Sequence, residues 1–283
     1  MSDVLLVEVD GPVATVTLNR PDARNALNRE LRKALPRAMR ELDEREDIAA
    51  IVLTGADPAF CAGLDLKELA AGGDALRETG AAGPQGGAAG GRSSRAEGDG
   101  GEATPGGASR TGPFPHMDTP VIGAVNGVAI TGGFEVALAC DYLVASERAR
   151  FADTHARVGI MPGWGLTVLL PEAVGLRRAK ELSTTGNFLD APTALAWGLV
   201  NHVVPHEDLL PFARGLAADI ATIDRRAVRQ MLTTYDDGAL RDGAGAWALE
   251  AEVAGRWQGE GLDPAALEAS RQAVVSRGRQ QLS

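Results

Sequence analysis

Cysteine is nearly absent from this chain: Cys61 and Cys140 are the only two in 283 residues. So few, and so far apart, they exclude a disulfide-built scaffold and suit a reducing compartment. Aromatic residues are also scarce, at 4%, which leaves small and aliphatic side chains to fill the core and identifies no substrate. Basic residues are the minority, 28 against 38 acidic, for a formal net charge of −10. A nucleic-acid binder relying on general phosphate attraction is therefore not expected, and an anionic ligand must be held by local features. The first residues, Met-Ser-Asp-Val-Leu-Leu-Val-Glu, lack a basic stretch followed by an apolar one, so no export signal is read and the cytoplasm is expected. A long uninterrupted apolar run is missing too. Residues 121–140 have the length of a membrane span, but Asn126, Thr131, Glu135 and four glycines interrupt them, which points to buried core and no membrane insertion. There is no G-x-S-x-G elbow, no G-x-G-x-x-G turn and no P-loop. His202 and His206 are separated by Pro205, and no cysteine or carboxylate set completes a metal site with them.

What is present suffices for a sizeable core: 45% of residues are hydrophobic and the mean hydropathy is −0.07. Glycine is in excess at 35 residues, and 14 of these fall within the 41 residues from Gly72 to Gly112, where Leu76 is the sole larger aliphatic or aromatic side chain. That segment cannot bury enough apolar surface to offset its ordering entropy, and it is expected to form a mobile loop.

Alternation over residues 6–18 about Gly11-Pro12 predicts a hairpin. Leu31, Leu35, Met39 and Leu42 predict an amphipathic helix over 28–46, capped by Asn28. Buried strands are expected at 49–54 and 121–125, a helix from Gly132-Gly133 to Ala139, and a strand at 141–145. The remainder reads as helical at 165–183, 191–197, 206–221, 224–235, 244–258 and 263–278, with a strand at 200–204. Strands alternating with helices indicate an α/β architecture.

Two places could carry chemistry. Ala62 and Gly63 follow a buried strand, and small residues there let another group approach the backbone. Thr131-Gly132-Gly133-Phe134-Glu135 sets two glycines at a helix start with a carboxylate in the first turn. Either alone is an ordinary strand-to-helix turn. Together they can direct one backbone N–H each at a single oxygen, as a reaction through an enolate requires.

These segments, with Arg20-Pro21-Asp22-Ala23-Arg24-Asn25-Ala26-Leu27, Phe60-Cys61-Ala62-Gly63-Leu64-Asp65-Leu66, Ala124-Val125-Asn126-Gly127 and Gly159-Ile160-Met161-Pro162-Gly163, resemble the crotonase (enoyl-CoA hydratase/isomerase) superfamily. The resemblance implies a spiral of β-β-α units over residues 1–205, a helical trimerisation region over 206–283, a homotrimer or dimer of trimers, and acyl-CoA thioester substrates. Coenzyme A would then be part of the substrate, with no metal or separate cofactor. Carried onto this chain, the resemblance assigns the oxyanion hole to the backbone N–H groups of Leu64 and Gly132, beside Gly63 and Gly133. It places Ala62, Asp65 and Leu66 near the adenine and Arg24 near the CoA phosphates, where a permanent forked cation is physically apt. Trp164 is a candidate for the acyl pocket wall.

Glu135 matches the first catalytic glutamate of the hydratases, which holds and deprotonates the attacking water. Aligning Phe151 and Gly159 on the family pattern puts His155 where hydratases carry a second glutamate. Histidine can donate a proton near neutral pH, so His155 is a candidate acid, or else a group that orients Glu135; Asp153 is an alternative for the same place. Hydration of a 2-enoyl-CoA is the expected reaction. The substitution keeps isomerisation, decarboxylation and thioester hydrolysis open, and a CoA-ester binding protein without turnover is the non-enzymatic alternative. Limited proteolysis of the free protein is expected to cut first within residues 72–112; resistance there would show that the segment is packed.

Overall fold

The computed structural model describes residues 4–65, 68, 112–239, 245 and 252; Leu66, the 72–112 segment up to residue 111, and the expected helices over 244–258 and 263–278 lie outside the described residues, apart from the isolated positions 245 and 252. Two sheets form the framework. The larger has six strands in the order β1 (Leu5–Asp10), β2 (Val13–Leu18), β3 (Ala50–Gly55), β5 (Val121–Val125), β7 (Tyr142–Ser146) and β10 (His202–Val204). β1 and β2 are the predicted antiparallel hairpin, and every other neighbouring pair is parallel. The smaller sheet runs β4 (Ala59–Cys61), β6 (Val128–Ile130), β8 (Arg150–Ala152) and β9 (Leu189–Asp190).

Each pass of the chain gives a long strand to the first sheet and a short one to the second, then turns into a helix: β5 and β6 lead to α2 (Gly132–Leu138), and β7 and β8 to α3 (His155–Val158). This is the β-β-α repeat that the resemblance implies. The strands of the small sheet are two or three residues long, too short for a periodic signal, and they read in the sequence only as turns or apolar fragments.

The apolar run of β3 is continuous because both of its faces are covered. Ile51 and Leu53 enter the main core with Phe60, Phe134 and Phe151, while Ala50 and Val52 face Leu209, Ala213 and Ala217 of α7 (Leu209–Ile220). Small residues four apart let that helix lie close on the sheet. Residues up to Arg225 form one compact unit, so 206–225 belong with the sheets; the second unit begins at Arg226 and α8 (Arg225–Ala239) is its described helix.

α1 (Arg29–Asp43) starts where expected: the Asn28 side chain accepts from Leu31 N at 2.9 Å, and Leu31, Leu35, Met39 and Leu42 are buried. The single helix expected over 165–183 is instead two, α4 (Leu166–Val174) and α5 (Leu176–Thr185). Gly175 parts them at φ 83, ψ 148, a conformation open to glycine and incompatible with a continuing helix. α6 (Ala191–Trp197) has the bounds expected from the sequence and begins at Asp190, whose side chain accepts from Thr193 N.

The loop from Arg20 to Leu27 is fixed by Asn25. Its fully buried amide donates to Ala56 O at 2.7 Å and Ala59 O at 2.6 Å, and its oxygen accepts from Arg20 N at 2.8 Å. Asn25 and Arg24 both take positive φ, 56° and 50°, a region that asparagine tolerates better than most side chains. Asn25→Ala would take a partner from three backbone groups, Ala59 O buried and Arg20 N and Ala56 O half-buried. It is expected to lower stability by about 2 to 4 kcal/mol, measured by urea unfolding; a loss below the error of that measurement would show that the loop is held by other contacts.

Candidate active site

The Asn25-anchored loop lies along the segment that follows β4. Ala62 N donates to Arg24 O at 3.0 Å, Leu27 N to Gly63 O at 2.7 Å, and Asp65 N to Leu27 O at 3.3 Å. This short parallel ladder uses the N–H groups of Ala62 and Asp65 and the carbonyl of Gly63, and leaves the Leu64 N–H out of the pairing. Asp65, expected near adenine, is ion-paired with Arg20 at 3.0 Å, and Arg24 is exposed.

The start of α2 meets the same segment. A Cβ on Gly133 would sit 2.1 Å from Cys61 O, and one on Gly63, whose φ is 89°, would sit 2.7 Å from Ile130 O and 3.5 Å from Gly132 N. Only glycine permits either approach. A Cβ on Gly132 would touch Leu27, Leu64 and Trp164 at 3.4 to 3.8 Å. The structure therefore brings together Gly63, Leu64, Gly132, Gly133 and Trp164, which are up to about 100 residues apart in sequence.

Thr131, between β6 and α2, takes φ 54 and ψ −117, a strained conformation for a β-branched residue that costs on the order of 1 to 3 kcal/mol. Its N–H donates to Ala152 O at 3.0 Å and its hydroxyl shares a 2.5 Å hydrogen bond with that of Thr154. These bonds tie the turn carrying Gly132 to the turn carrying His155.

Glu135, in the first turn of α2, is 3% exposed. One carboxylate oxygen accepts from Gly163 N at 3.2 Å and Trp164 N at 2.7 Å, and the other lies 3.4 Å from His155 Nε2. Packing of Phe134 against Phe151, with ring centroids 5.6 Å apart, holds α2 to β8 and so keeps the two partners in register. The His155 Nδ1 is 2.6 Å from Asp153 Oδ1, and the same oxygen accepts from His155 N at 3.1 Å. Asp153 and His155 are thus both at the site, with Asp153 bound to the imidazole from the side opposite Glu135.

Burial opposes charge on His155, but the hydrogen bonds to Asp153 and to Glu135 outweigh it and raise its pKa from 6.5 to about 9. Burial likewise opposes charge on Asp153, and hydrogen bonds from His155 and Ser183 outweigh it and hold that carboxyl below its usual range. His155 is thus set between the carboxyl groups of Asp153 and Glu135, an arrangement that favours its charged form.

The backbone donors of Gly163 and Trp164 to Glu135 were not legible in the sequence, because an amide N–H is common to every residue type except proline and only the path of the chain aims it. The Asp-x-His spacing of residues 153–155 was the available hint of the Asp153 contact. Other reactive side chains are not deployed here. Burial pushes the Cys61 thiol up to about 12 and that of Cys140 higher still. His206 lies 3.0 Å from Ser146 and 3.1 Å from Asp57, a triad in composition, but Ser146 is fully buried and its hydroxyl accepts from Arg148 N. Among the described residues, no three or more His, Cys, Asp or Glu side chains are grouped to hold a metal ion, and no helix is long and apolar enough to cross a membrane.

Known proteins share this arrangement of sequence and fold. The model of the enoyl-CoA hydratase/isomerase family matches residues 8–83 and 113–260. The chain is 35% identical to a probable peroxisomal enoyl-CoA hydratase of Arabidopsis thaliana over 247 residues, covering 86% of this chain and 82% of that one. It is 34% identical to a short-chain-enoyl-CoA hydratase of Clostridium acetobutylicum over 253 residues, with 89% and 88% covered. The crystal structure of an enoyl-CoA hydratase from Mycobacterium tuberculosis superposes with a TM-score of 0.69 at 44% identity, covering 89% of this chain and 97% of that one. One from Bacillus anthracis superposes at 0.77 with 28% identity, covering 97% and 96%. Agreement at this identity, over most of the length of each relative and through both sheets, is that of common descent: the chain belongs to the enoyl-CoA hydratase/isomerase family.

Proposed function

We propose that this protein adds water across the double bond of a 2-enoyl-CoA thioester. The observation that carries the reading is the buried Glu135–His155 pair set beside the Leu64 and Gly132 amides. The thioester carbonyl oxygen accepts from the two N–H groups, and these bonds strengthen as charge moves onto it in the enolate, each supplying about 3 kcal/mol or more. Glu135, held by the Gly163 and Trp164 amides, takes a proton from water as its oxygen bonds to the β-carbon. His155 gives its Nε2 proton to the α-carbon. The proton on Glu135 then crosses the 3.4 Å contact to Nε2 and restores the starting state. Water is consumed and no electrons are exchanged, so the reaction calls for no redox cofactor, and in this reading the two amides do the polarising of the carbonyl.

In this reading Arg24 pairs with the CoA phosphates from its exposed position on the anchored loop. Ala62, Asp65 and Leu66 border the adenine, Gly63 and Gly133 give the carbonyl access to the hole, and Trp164 walls the acyl group. A homotrimer or dimer of trimers in the cytoplasm completes the proposal, supported by the family resemblance and by the use of cysteine. The histidine at 155 favours one competing reading, another enolate reaction on the same site, and the mass change of the acyl-CoA product separates hydration from isomerisation, decarboxylation and thioester hydrolysis.

Following the absorbance of crotonyl-CoA, Glu135→Gln and His155→Ala are each expected to lower kcat about 10²- to 10⁴-fold; full activity in Glu135→Gln would refute the mechanism. Because His155 must carry its proton, the rate should hold through neutral pH and fall as pH rises through about 9. A rate that already falls as pH rises between 6 and 7 would show that the raised pKa of His155 does not govern the reaction.

A further inference from the structure

The hydration chemistry leaves unexplained why a third ionisable side chain, Asp153, is buried at the site at 2% exposure. A carboxylate removed from water is costly unless it is paired, and Asp153 is paired in a directed way. Its Oδ1 meets both Nδ1 and the backbone N–H of His155, and Ser183 of α5 bonds the same carboxyl. An imidazole has two nitrogens with distinct roles, and the partner of one decides what the other presents. With Nδ1–H donated to Asp153 at 2.6 Å, Nε2 is the nitrogen left facing Glu135 at 3.4 Å.

We propose that Asp153 is a positioning residue for the hydration: its carboxylate fixes Nδ1 of His155 as a donor, aims Nε2 at Glu135 and the substrate, and so makes His155 a proton donor in the place of a carboxylic acid. This rests on the hydratase reading. The charged groups that face His155 are Glu135 on α2 and Asp153 on its own turn; from α5 the contribution is the neutral Ser183 hydroxyl, acting through Asp153. Before the reaction the proton is on His155, during it that proton goes to the α-carbon, and afterwards the proton taken from water by Glu135 replaces it. Asp153 keeps its negative charge throughout and exchanges no proton.

A merely structural role must be separated from this one. Asp153 Oδ1 also closes a turn before α3 by accepting from His155 N, and an asparagine side-chain oxygen makes such a turn as well as an aspartate one does. Asp153→Asn therefore keeps the turn and the shape and removes the charge. The full-length protein is labelled with ¹³C at the histidine Cε1; its four histidines give four signals, and His155→Gln assigns the one in question. The wild-type signal is expected to titrate well above pH 8. In Asp153→Asn it should titrate at least about one unit lower, the alkaline limb of the kcat profile should move down with it, and kcat at neutral pH should fall on the order of 10²-fold with KM within about twofold. Asp153→Glu should recover part of kcat.

An unchanged titration and an unchanged alkaline limb in Asp153→Asn, with hydration intact in the wild type, would overturn the proposal. Should that variant not fold, the wild-type signal decides: a neutral His155 at pH 7 overturns it, and a charged one together with a downward shift in Asp153→Ser, which keeps an accepting oxygen and removes the charge, supports it. Absence of any hydration by a wild type whose His155 is charged would instead refute the hydratase reading, so the two failures are distinct.

Discussion

The fit of the α2 start against the end of β4 is the contact on which the site depends. The Gly133 Cα lies so close to Cys61 O that a Cβ would be 2.1 Å away, and no rotamer change can relieve a clash between a Cβ and a backbone carbonyl. The consequence is positional. The segment containing Leu64 and the helix start containing Gly132 are fixed relative to one another through backbone, whose atoms have little freedom to drift. Glu135, in the first turn of the same helix, inherits that placement. The parallel ladder to Arg24–Leu27 and the Asn25 amide hold the segment from the other side, so the candidate site is made of chain that is tied down at every few residues.

Electrostatics adds a second layer to this frame. Two buried carboxylates near one imidazole are tolerable because each has directed donors: backbone amides and His155 for Glu135, and His155 with Ser183 for Asp153. The imidazolium between them offsets part of their charge. A histidine standing where a carboxylic acid is expected could have left a lone base in the pocket. Here, against the cost of burial, the hydrogen bonds to Asp153 and Glu135 raise its pKa to about 9 and favour the protonated form.

Much of the frame was legible in the residues. The hairpin, the capped α1 with its buried Leu31, Leu35, Met39 and Leu42, and the apolar run of β3 follow from patterns of two and three to four. Glu135 and the two glycine-flanked segments were readable as a pair, and the family resemblance carried their roles. The second sheet was not legible, since strands of two or three residues lack a period. The break at Gly175 was missed because Leu166–Thr185 keeps helical spacing on both sides of it. Asn25 gave no sign of its anchoring role, since a buried asparagine and a surface one look alike until the carbonyl partners at Ala56 and Ala59 are brought to it.

By itself the sequence determined which chemistry was available: one glutamate at a helix start, one histidine where a second carboxylic acid would stand, and glycines where a side chain could not be accommodated. Those are local properties, set by residue type and by spacing along a few turns. Only the tertiary structure decided which nitrogen of His155 faces Glu135, that Asp153 grips the other, and that the amides of Gly163 and Trp164 orient the carboxylate. These are matters of direction in space between segments far apart in the chain, and residue identity carries no direction until packing supplies it.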